Sequence, residues 1–469
     1  MKKIILAFFV CMAVFSCDKG PVVESSMPYK IVNGAITFKT PEREPGQKSA
    51  LKLACDPIDT VRIGFVGLGN RGSSAIKRYV HIDGARIVAL CDLREEKVKA
   101  SQNVIAEAGL PPADEYIGED QYKIMCERDD IDLVYICTDW EMHAPIAIYA
   151  MEHGKHAASE VPCGVTLEQC WQLVNTCEKT RKHYMMLENC CYDAFEMAAL
   201  NMAQQNILGE IYHAEGAYIH KIHDHWGSYY NDWRAKFNQS HAGDNYPTHG
   251  FGPICQAMNI HRGDKMNTLV SMDTKSIVGL ESTRDRLGVE EFAEGDHVVT
   301  LIRTENGHQM EIHHNVYSER PYSRMYQLTG SKGFANKYPT AGFCFSREQL
   351  PEGIREKECY EGLSNGVLSG PALTDELMND FKHPVYAEHE EMAMIVGGHG
   401  GMDYVMDARL IWCLRNGMPL DMDVYDAAEW SCVRELSEIS VRAGSMPVKV
   451  PDFTRGDWNV IDGFRHSGK

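Results

Sequence analysis

The chain has no C-x-x-C pair and no other ligand spacing of a structural metal site, although it carries 16 cysteines. Nor do those cysteines form the framework of a small secreted disulfide scaffold. Cys190 and Cys191 are adjacent, Cys170 and Cys177 share a helical spacing, and Cys91 and Cys137 close apolar runs. They read as buried free thiols acting as small hydrophobes, and no metal site is expected. Positive charge is scarce: 47 Lys and Arg stand against 66 Asp and Glu, a net charge of -19. That balance argues against nucleic acid and against adhesion to an anionic membrane surface. There is no internal repeat and no low-complexity tract, which leaves an ordinary globular chain of 469 residues, long enough for two domains with their own cores.

The amino terminus is where apolar residues concentrate. Lys2 and Lys3 precede a run from Ile4 to Phe15, then Ser16 and Cys17. The run is too short to span a bilayer and reads as a secretory signal. Its ending, Val14-Phe15-Ser16-Cys17, resembles a bacterial lipobox, in which the signal is cut before the cysteine and the cysteine is lipidated. Residues 1–17 are therefore assigned to a lipoprotein signal and Cys17 to the lipid anchor. The expected location is an exported, membrane-anchored lipoprotein, periplasmic or on the outer membrane or cell surface. Residues 18–59 contain Pro, Ser, Lys and Glu with little periodicity and are expected to be a tether and a loosely structured lead-in.

Order begins with Val61 to Gly72, VRIGFVGLGNRG. A short apolar run enters Gly67-Leu68-Gly69-Asn70-Arg71-Gly72, the spacing G-x-G-x-x-G. Gly67 permits the tight turn, Gly69 lets the backbone approach a pyrophosphate, and Gly72 lets the following helix pack closely. A second apolar run, Ala85 to Cys91, ends in Asp92, at the distance where an acid bonds the ribose hydroxyls of NAD. Further strands are read at Ile131–Cys137, Gly154–Glu160 and His183–Asn189, with helices at about 71–82, 95–108, up to His153, and 167–181. Alternating strands and helices predict a doubly wound parallel Rossmann sheet over residues 60–190. Its ligands belong at the carboxyl ends of the strands. Those ends carry the glycines, Asp92, Trp140, His143, Glu160 and Asn189.

After Asn189 the rhythm changes. A helix at Ala194–Gln204 precedes strand-like runs at Ile211–Ile222, Thr268–Val278, Asp296–Thr304, Gln309–Tyr317 and Met325–Thr329. Consecutive strands predict an α+β domain with an open, largely antiparallel sheet over residues 191–469, ending in a helical tail from Pro384 to Ser440. His220, His223 and His225 look metal-like at first sight but are read as lining a cleft. His313 and His314 are read as sheet surface, and Trp140 and Trp233 as either stacking platforms or buried packing.

The first half resembles the Gfo/Idh/MocA oxidoreductases through the glycine turn, Asp92, His143-Ala144-Pro145, and Gly154-Lys155-His156 leading to Glu160-x-Pro162. One position departs. Dehydrogenases of that family usually read Glu-Lys-Pro, and here the triplet is Glu160-Val161-Pro162. A valine neither holds nor releases a proton, which puts a simple alcohol dehydrogenase in doubt. The second half narrows the resemblance. Asn245-Tyr246-Pro247-Thr248-His249-Gly250-Phe251-Gly252-Pro253, Met258 to Asp264, and Arg320-Pro321-Tyr322-Ser323-Arg324 look like signatures of glycoside hydrolase family 109, the NAD-dependent α-N-acetylgalactosaminidases.

The resemblance implies that Gly67, Gly69, Asn70, Arg71, Gly72, Asp92, Trp140, His143, Glu160, Val161 and Asn189 hold NAD. It implies that Tyr218, Arg234, Tyr246, Pro247, Thr248, His249 and Tyr322 hold the sugar. His249 is expected to be the main base, with Tyr246 and Tyr322 assisting. The implied activity is hydrolysis of terminal α-N-acetylgalactosaminides through transient C3 oxidation, C1–C2 elimination, water addition and re-reduction, with a glycan or glycoside as partner. The resemblance allows a homo-oligomer and leaves the oligomeric state open. The alternatives are an NAD-dependent sugar dehydrogenase and a non-catalytic glycan-binding lipoprotein.

Overall fold

The computed structural model describes residues 23–469 apart from 358, 359, 361, 362 and 364–366. The signal sequence, the lipobox and Cys17 lie outside the described residues. The expectation of a loosely structured lead-in needs correction. It forms a hairpin, β1 (Tyr29–Val32) and β2 (Ala35–Phe38), with Tyr29 opposite Phe38. Asn33 and Gly34 both take positive φ, 51° and 77°, the two-residue turn that Asn-Gly favours. β2 then pairs with the larger sheet of the second domain.

The nucleotide domain runs β3 (Val61–Val66), α1 (Asn70–Tyr79), β4 (Ala85–Asp92), α2 (Glu95–Glu107), β5 (Asp114–Ile117), α3 (Gln121–Cys126), β6 (Leu133–Ile136), α4 (Trp140–Glu152), β7 (His156–Ser159), α5 (Leu167–Thr180) and β8 (Tyr184–Met186). All six strands are parallel, in the order β5-β4-β3-β6-β7-β8. Helices cover both faces, so β6 and β7 are buried throughout, as a parallel sheet requires. Strand order reverses between β3 and β6, and the crevice beyond their carboxyl ends is the place for a ligand.

The second domain follows with α6 (Ala194–Gln204), β9 (Ile211–Ile219), α7 (Trp233–Ser240), α8 (Thr248–Ala257), β10 (Met266–Asp273), α9 (Val278–Leu287), β11 (Val298–Thr304), β12 (Gln309–Asn315), β13 (Ser323–Gly330), β14 (Gly333–Asn336) and β15 (Gly342–Phe345). Then come α10 (Glu352–Arg355), α11 (Pro371–Asp380), α12 (Pro384–Val396), α13 (Met402–Arg415), α14 (Val424–Arg442) and β16 (Val448–Lys449). Its ten-stranded sheet is antiparallel except where β12 meets β9 and β16 meets β2. Burial alternates along β11 and β13, so one face packs and the other stays open.

The strand expected at Thr268–Val278 stops at Asp273, and Val278 opens a helix instead. The cause is remote in sequence. The Asp296 carboxylate accepts from the backbone N–H groups of Ile277, Val278 and Gly279 at 2.8–2.9 Å, capping donors that would otherwise be unpaired. The helix α14 joins the two domains. It is buried from Val424 to Ser440 and starts in a capping box of Asp423 and Asp426. Its Ser431 hydroxyl accepts from Cys163 N–H of the nucleotide domain, and its Ser440 hydroxyl accepts from Ser271 N–H of β10. The thirteen described cysteines are free, and most are buried.

Candidate active site

The glycine turn has the shape that a dinucleotide needs. Gly67 has φ +84°, and a Cβ there would stand 2.6 Å from the Cys137 carbonyl oxygen. A Cβ on Gly72 would stand 1.9 Å from the Gly67 carbonyl oxygen, so the helix α1 sits directly on the turn. Gly69 differs: a Cβ there would meet nothing within 4 Å. Gly69 caps α1 with no side chain on the helix N–H groups, which leaves them free for phosphate. Asp92 closes β4 and is buried; its carboxylate accepts from Leu68 N–H at 2.6 Å and from Arg94 N–H at 2.9 Å. It thus ties the turn to the ribose position. These features fit NAD.

The other residues assigned to the cofactor divide. Arg71 ion-pairs with Glu160 at 2.9 Å and with Asp403 at 3.3 Å, and Asn189 donates to Asp403 at 2.5 Å. The structure therefore brings Arg71, Glu160 and Asn189 together around an acid from α13. Val161 is buried. His143 is buried as well and donates Nδ1–H to the Pro162 carbonyl at 2.7 Å; burial pulls its imidazole below the usual value. It holds the loop after Glu160 rather than offering a free nitrogen.

Trp140 belongs to an aromatic cluster. It is buried, edge-on to Trp233 and Phe237, and stacked on Tyr246. Arg234 lies over the rings of Trp140, Tyr229 and Tyr246, with its Cζ 4.8, 5.4 and 4.8 Å from their centroids. It donates to the Tyr229 hydroxyl at 2.9 Å. Its Nε is buried without a hydrogen-bond partner, and among the described residues no carboxylate lies within ion-pair distance. A buried cation held this way by rings is available to an oxygen of a ligand.

His249 sits in the first turn of α8 because two glycines let that helix come close. A Cβ on Gly250 would stand 2.5 Å from Ala217 N of β9, and a Cβ on Gly252 would stand 2.7 Å from Glu188 Cγ. The His249 ring consequently packs 5.2 Å from Tyr218 and 4.9 Å from Tyr246, centroid to centroid. Its Nδ1 is 2.7 Å from Glu188 Oε1, and its Nε2 is 3.4 Å from the Tyr246 hydroxyl. Burial pushes the Tyr218 phenol up to about 12 and the Tyr246 phenol well above its ordinary value, so both remain protonated donors at neutral pH. Pro247 and Thr248 are buried under this turn and shape the helix start.

Tyr322 stands apart at the rim, 40% exposed, and its hydroxyl accepts from Arg324 at 3.2 Å. It joins the cluster through His220, whose ring lies 5.0 Å from Tyr322 and whose Nδ1 is 3.3 Å from the Tyr218 hydroxyl. Burial, with the Arg234 guanidinium nearby, pulls His220 down to about 4. His223 turns instead toward Tyr317. His314, read as sheet surface, is buried 3.3 Å from Glu294.

Three residues of this site escape the sequence reading. Glu188 directly precedes Asn189 and looks like the end of a strand. His399 sits at the centre of a glycine-rich turn, Gly397 to Gly401, in which all five residues have positive φ, and Asp403 follows it. His399 bonds Asp403 at 2.9 Å and lies 3.2 Å from Arg71. The run G-G-H-G-G was the available signal, since only such a run tolerates that backbone.

Comparison with known proteins agrees with this geometry. Residues 61–188 match the model of the oxidoreductase family with an NAD-binding Rossmann fold, and residues 192–460 match that of the glycosyl hydrolase 109 C-terminal domain. A glycosyl hydrolase family 109 protein of Bacteroides thetaiotaomicron is 50% identical over 100% of this chain and 99% of its own. One from Porphyromonas gingivalis is 53% identical over 93% of this chain and 94% of its own. Among solved structures, levoglucosan dehydrogenase in complex with NADH and L-sorbose superimposes with a TM-score of 0.59 at 16% identity, over 84% of this chain and 100% of that one. The WlbA dehydrogenase of Bordetella pertussis, in complex with NADH and UDP-GlcNAcA, gives 0.58 at 16% identity, over 84% and 99%. Those two show the same fold. A Rossmann domain for NAD, in contact with a cluster of rings around a carboxylate-backed histidine, is the framework of a glycosidase or sugar oxidoreductase. The matching of both halves and the full-length identity decide the lineage: the chain belongs to glycosyl hydrolase family 109.

Proposed function

We propose that the protein hydrolyses terminal α-N-acetylgalactosaminides with NAD as a cofactor that ends each turnover in its starting state. The observation that carries this reading is the His249 imidazole, held on the Glu188 carboxylate at 2.7 Å within a cage of tyrosines, beside a Glu160-Val161-Pro162 loop that has no lysine. A sugar dehydrogenase of this fold family needs a proton carrier at the valine position, and the buried Val161 supplies none.

Bound NAD+ supplies reversible hydride acceptance at C3, which leaves a ketone and acidifies the proton on C2. The residues of the chain do the proton work. Two protons leave the sugar: the one on the C3 hydroxyl passes out through the rim hydroxyl of Tyr322, and the one on C2 goes to the unprotonated nitrogen of His249, relayed by the Tyr246 hydroxyl, which gives its own proton to that nitrogen as it accepts. Arg234 and Tyr218 donate to the oxygen on which negative charge develops as C2 loses its proton. Elimination expels the C1 oxygen, and His399, an exposed imidazole on Asp403, is the candidate donor to it. Water then adds at C1, the proton returns to C2, and reduction at C3 restores the sugar.

We also infer export and lipidation at Cys17 from the signal sequence. A compartment without a recycling NADH pool suits an enzyme that regenerates its own cofactor.

The test uses the purified mature protein without added NAD and a chromogenic α-N-acetylgalactosaminide in deuterated water. Release of the aglycone with deuterium at C2 of the product is the expected result. Stoichiometric NADH with a keto-sugar product would establish the dehydrogenase reading instead.

A further inference from the structure

We infer that Glu188 is the positioning residue of this reaction: it fixes the proton of His249 on Nδ1, keeps Nε2 free as the base, and supports the imidazolium that forms when Nε2 takes a proton. The inference rests on the functional reading above for its reaction and on geometry alone for its chemistry.

Glu188 follows β8 and is fully buried. Its Oε1 faces His249 Nδ1 at 2.7 Å and accepts from Cys190 N–H at 3.1 Å. A carboxylate only accepts, so the shared proton belongs to Nδ1, and Nε2 is left with its lone pair. That lone pair faces the Tyr246 hydroxyl at 3.4 Å, which donates toward it. The order of the chain is therefore Tyr246 O–H, His249, Glu188, and a proton entering at the phenol end has one direction to travel. Burial would raise the Glu188 carboxyl, but its partner His249 holds it below its usual value, so it stays ionised.

A purely structural role explains this poorly. Glu188 Oε2 is buried outside good hydrogen-bond geometry, with the Thr248 hydroxyl as its polar neighbour, so that half of the carboxylate is desolvated for little return. A neutral side chain would pack here at lower cost. The fold instead makes room for the acid, since Gly252 of α8 is the glycine whose missing Cβ lets Glu188 approach. The other titratable or charged groups around His249 are Cys190, whose sulfur lies within 4.8 Å of both partners, Tyr218 and His220 of β9 and its end, Tyr246, and Arg234 of α7. None of them is an anion at neutral pH; Glu160 acts on Tyr246, and among the described residues Glu188 is the carboxylate hydrogen-bonded to the imidazole itself.

The experiment compares the NAD-loaded wild-type protein with Glu188→Gln and Glu188→Asp. It measures C2 deuterium incorporation against pH, KM and retained NAD. For Glu188→Gln the expected result is a loss of about 100-fold in exchange, with an acid limb moved about one pH unit lower. KM and NAD content stay within about twofold of wild type, and Glu188→Asp recovers part of the rate. Unchanged exchange and an unchanged acid limb in Glu188→Gln would overturn the inference. Because the variant could fail to fold, the wild-type imidazole is also read directly by nitrogen-15 NMR, with His249→Gln giving the assignment. The Nδ1–H tautomer is expected, and an Nε2–H tautomer would overturn the inference whatever the variants do. This readout needs no turnover. A protein that exchanges no C2 proton but shows Nδ1–H loses the proposed reaction and keeps the pair.

Discussion

The indole of Trp140, the first residue of a nucleotide-domain helix, stacks on the phenol of Tyr246 from the sheet domain, with centroids 5.3 Å apart and planes 26° apart. The ring that carries the hydroxyl facing His249 is thus held from the cofactor side. Trp140→Ala should cost about 3–5 kcal/mol of stability, the usual range for a buried aromatic. It should also lower kcat by releasing Tyr246. Trp140→Phe keeps a stacking partner and should cost less on both counts. Denaturant unfolding and steady-state kinetics check this together.

The second and third glycines of the nucleotide turn should respond differently. At Gly69 a Cβ meets no protein atom within 4 Å, so Gly69→Ala should fold normally and emerge with little bound NAD. At Gly72 a Cβ would fall 1.9 Å from a backbone carbonyl, so Gly72→Ala should destabilise the domain itself. Nucleotide content and thermal unfolding, measured on the same preparations, separate the cases.

Tyr322 and its neighbour Arg324 should separate activity from stability. Arg324 is buried and pairs with Glu196 at 2.7 Å and Asp193 at 3.0 Å. Arg324→Met leaves two carboxylates against Lys337 alone and should cost about 3–5 kcal/mol. Tyr322→Phe removes one hydroxyl at the rim and should cost under about 1 kcal/mol while lowering kcat/KM.

Asp244 and Glu294 tie stability to pH. Burial raises Asp244 to about 7 and Glu294 to about 8. In the unfolded chain both lose their protons near pH 4, so between about pH 4 and 8 the native state binds more protons and stability falls as pH rises. Asp244→Asn should flatten that slope by a few kcal/mol across the window, read from denaturant midpoints at pH 5 and pH 8.

His399 is more than half exposed, and Asp403 keeps Arg71, Arg78 and Asn189 without it. His399→Ala should therefore leave the melting temperature unchanged. If it protonates the departing oxygen, the loss in kcat should be large for alkyl glycosides and small for nitrophenyl glycosides, whose leaving groups need no proton.

Much of this was legible in the linear chain. The spacing of Gly67, Gly69 and Gly72, the alternation of apolar runs and helical stretches, and Asp92 at the end of a run are local signals. Local chemistry dictates them, since a turn with φ +84° beside a carbonyl needs glycine wherever it stands. The turn Asn33-Gly34 was equally local and marks a hairpin within the presumed tether. The helix at Val278 was not legible, because its cap is Asp296, eighteen residues away.

The sequence by itself determined the two-domain plan and the cofactor turn, and it singled out His249 and its neighbouring tyrosines, because backbone sterics, hydrophobic periodicity and local motifs act over a few neighbours. Only the tertiary structure decided which of those residues meet. Glu188 and His249 are sixty-one positions apart, and what joins them is the absence of a Cβ on Gly252. His143 and Trp140 read alike as cofactor contacts, yet burial turned one to a carbonyl and the other to a phenol. Close packing fixes such partners through distances of a few tenths of an ångström, and those exist only once both domains have closed on one another.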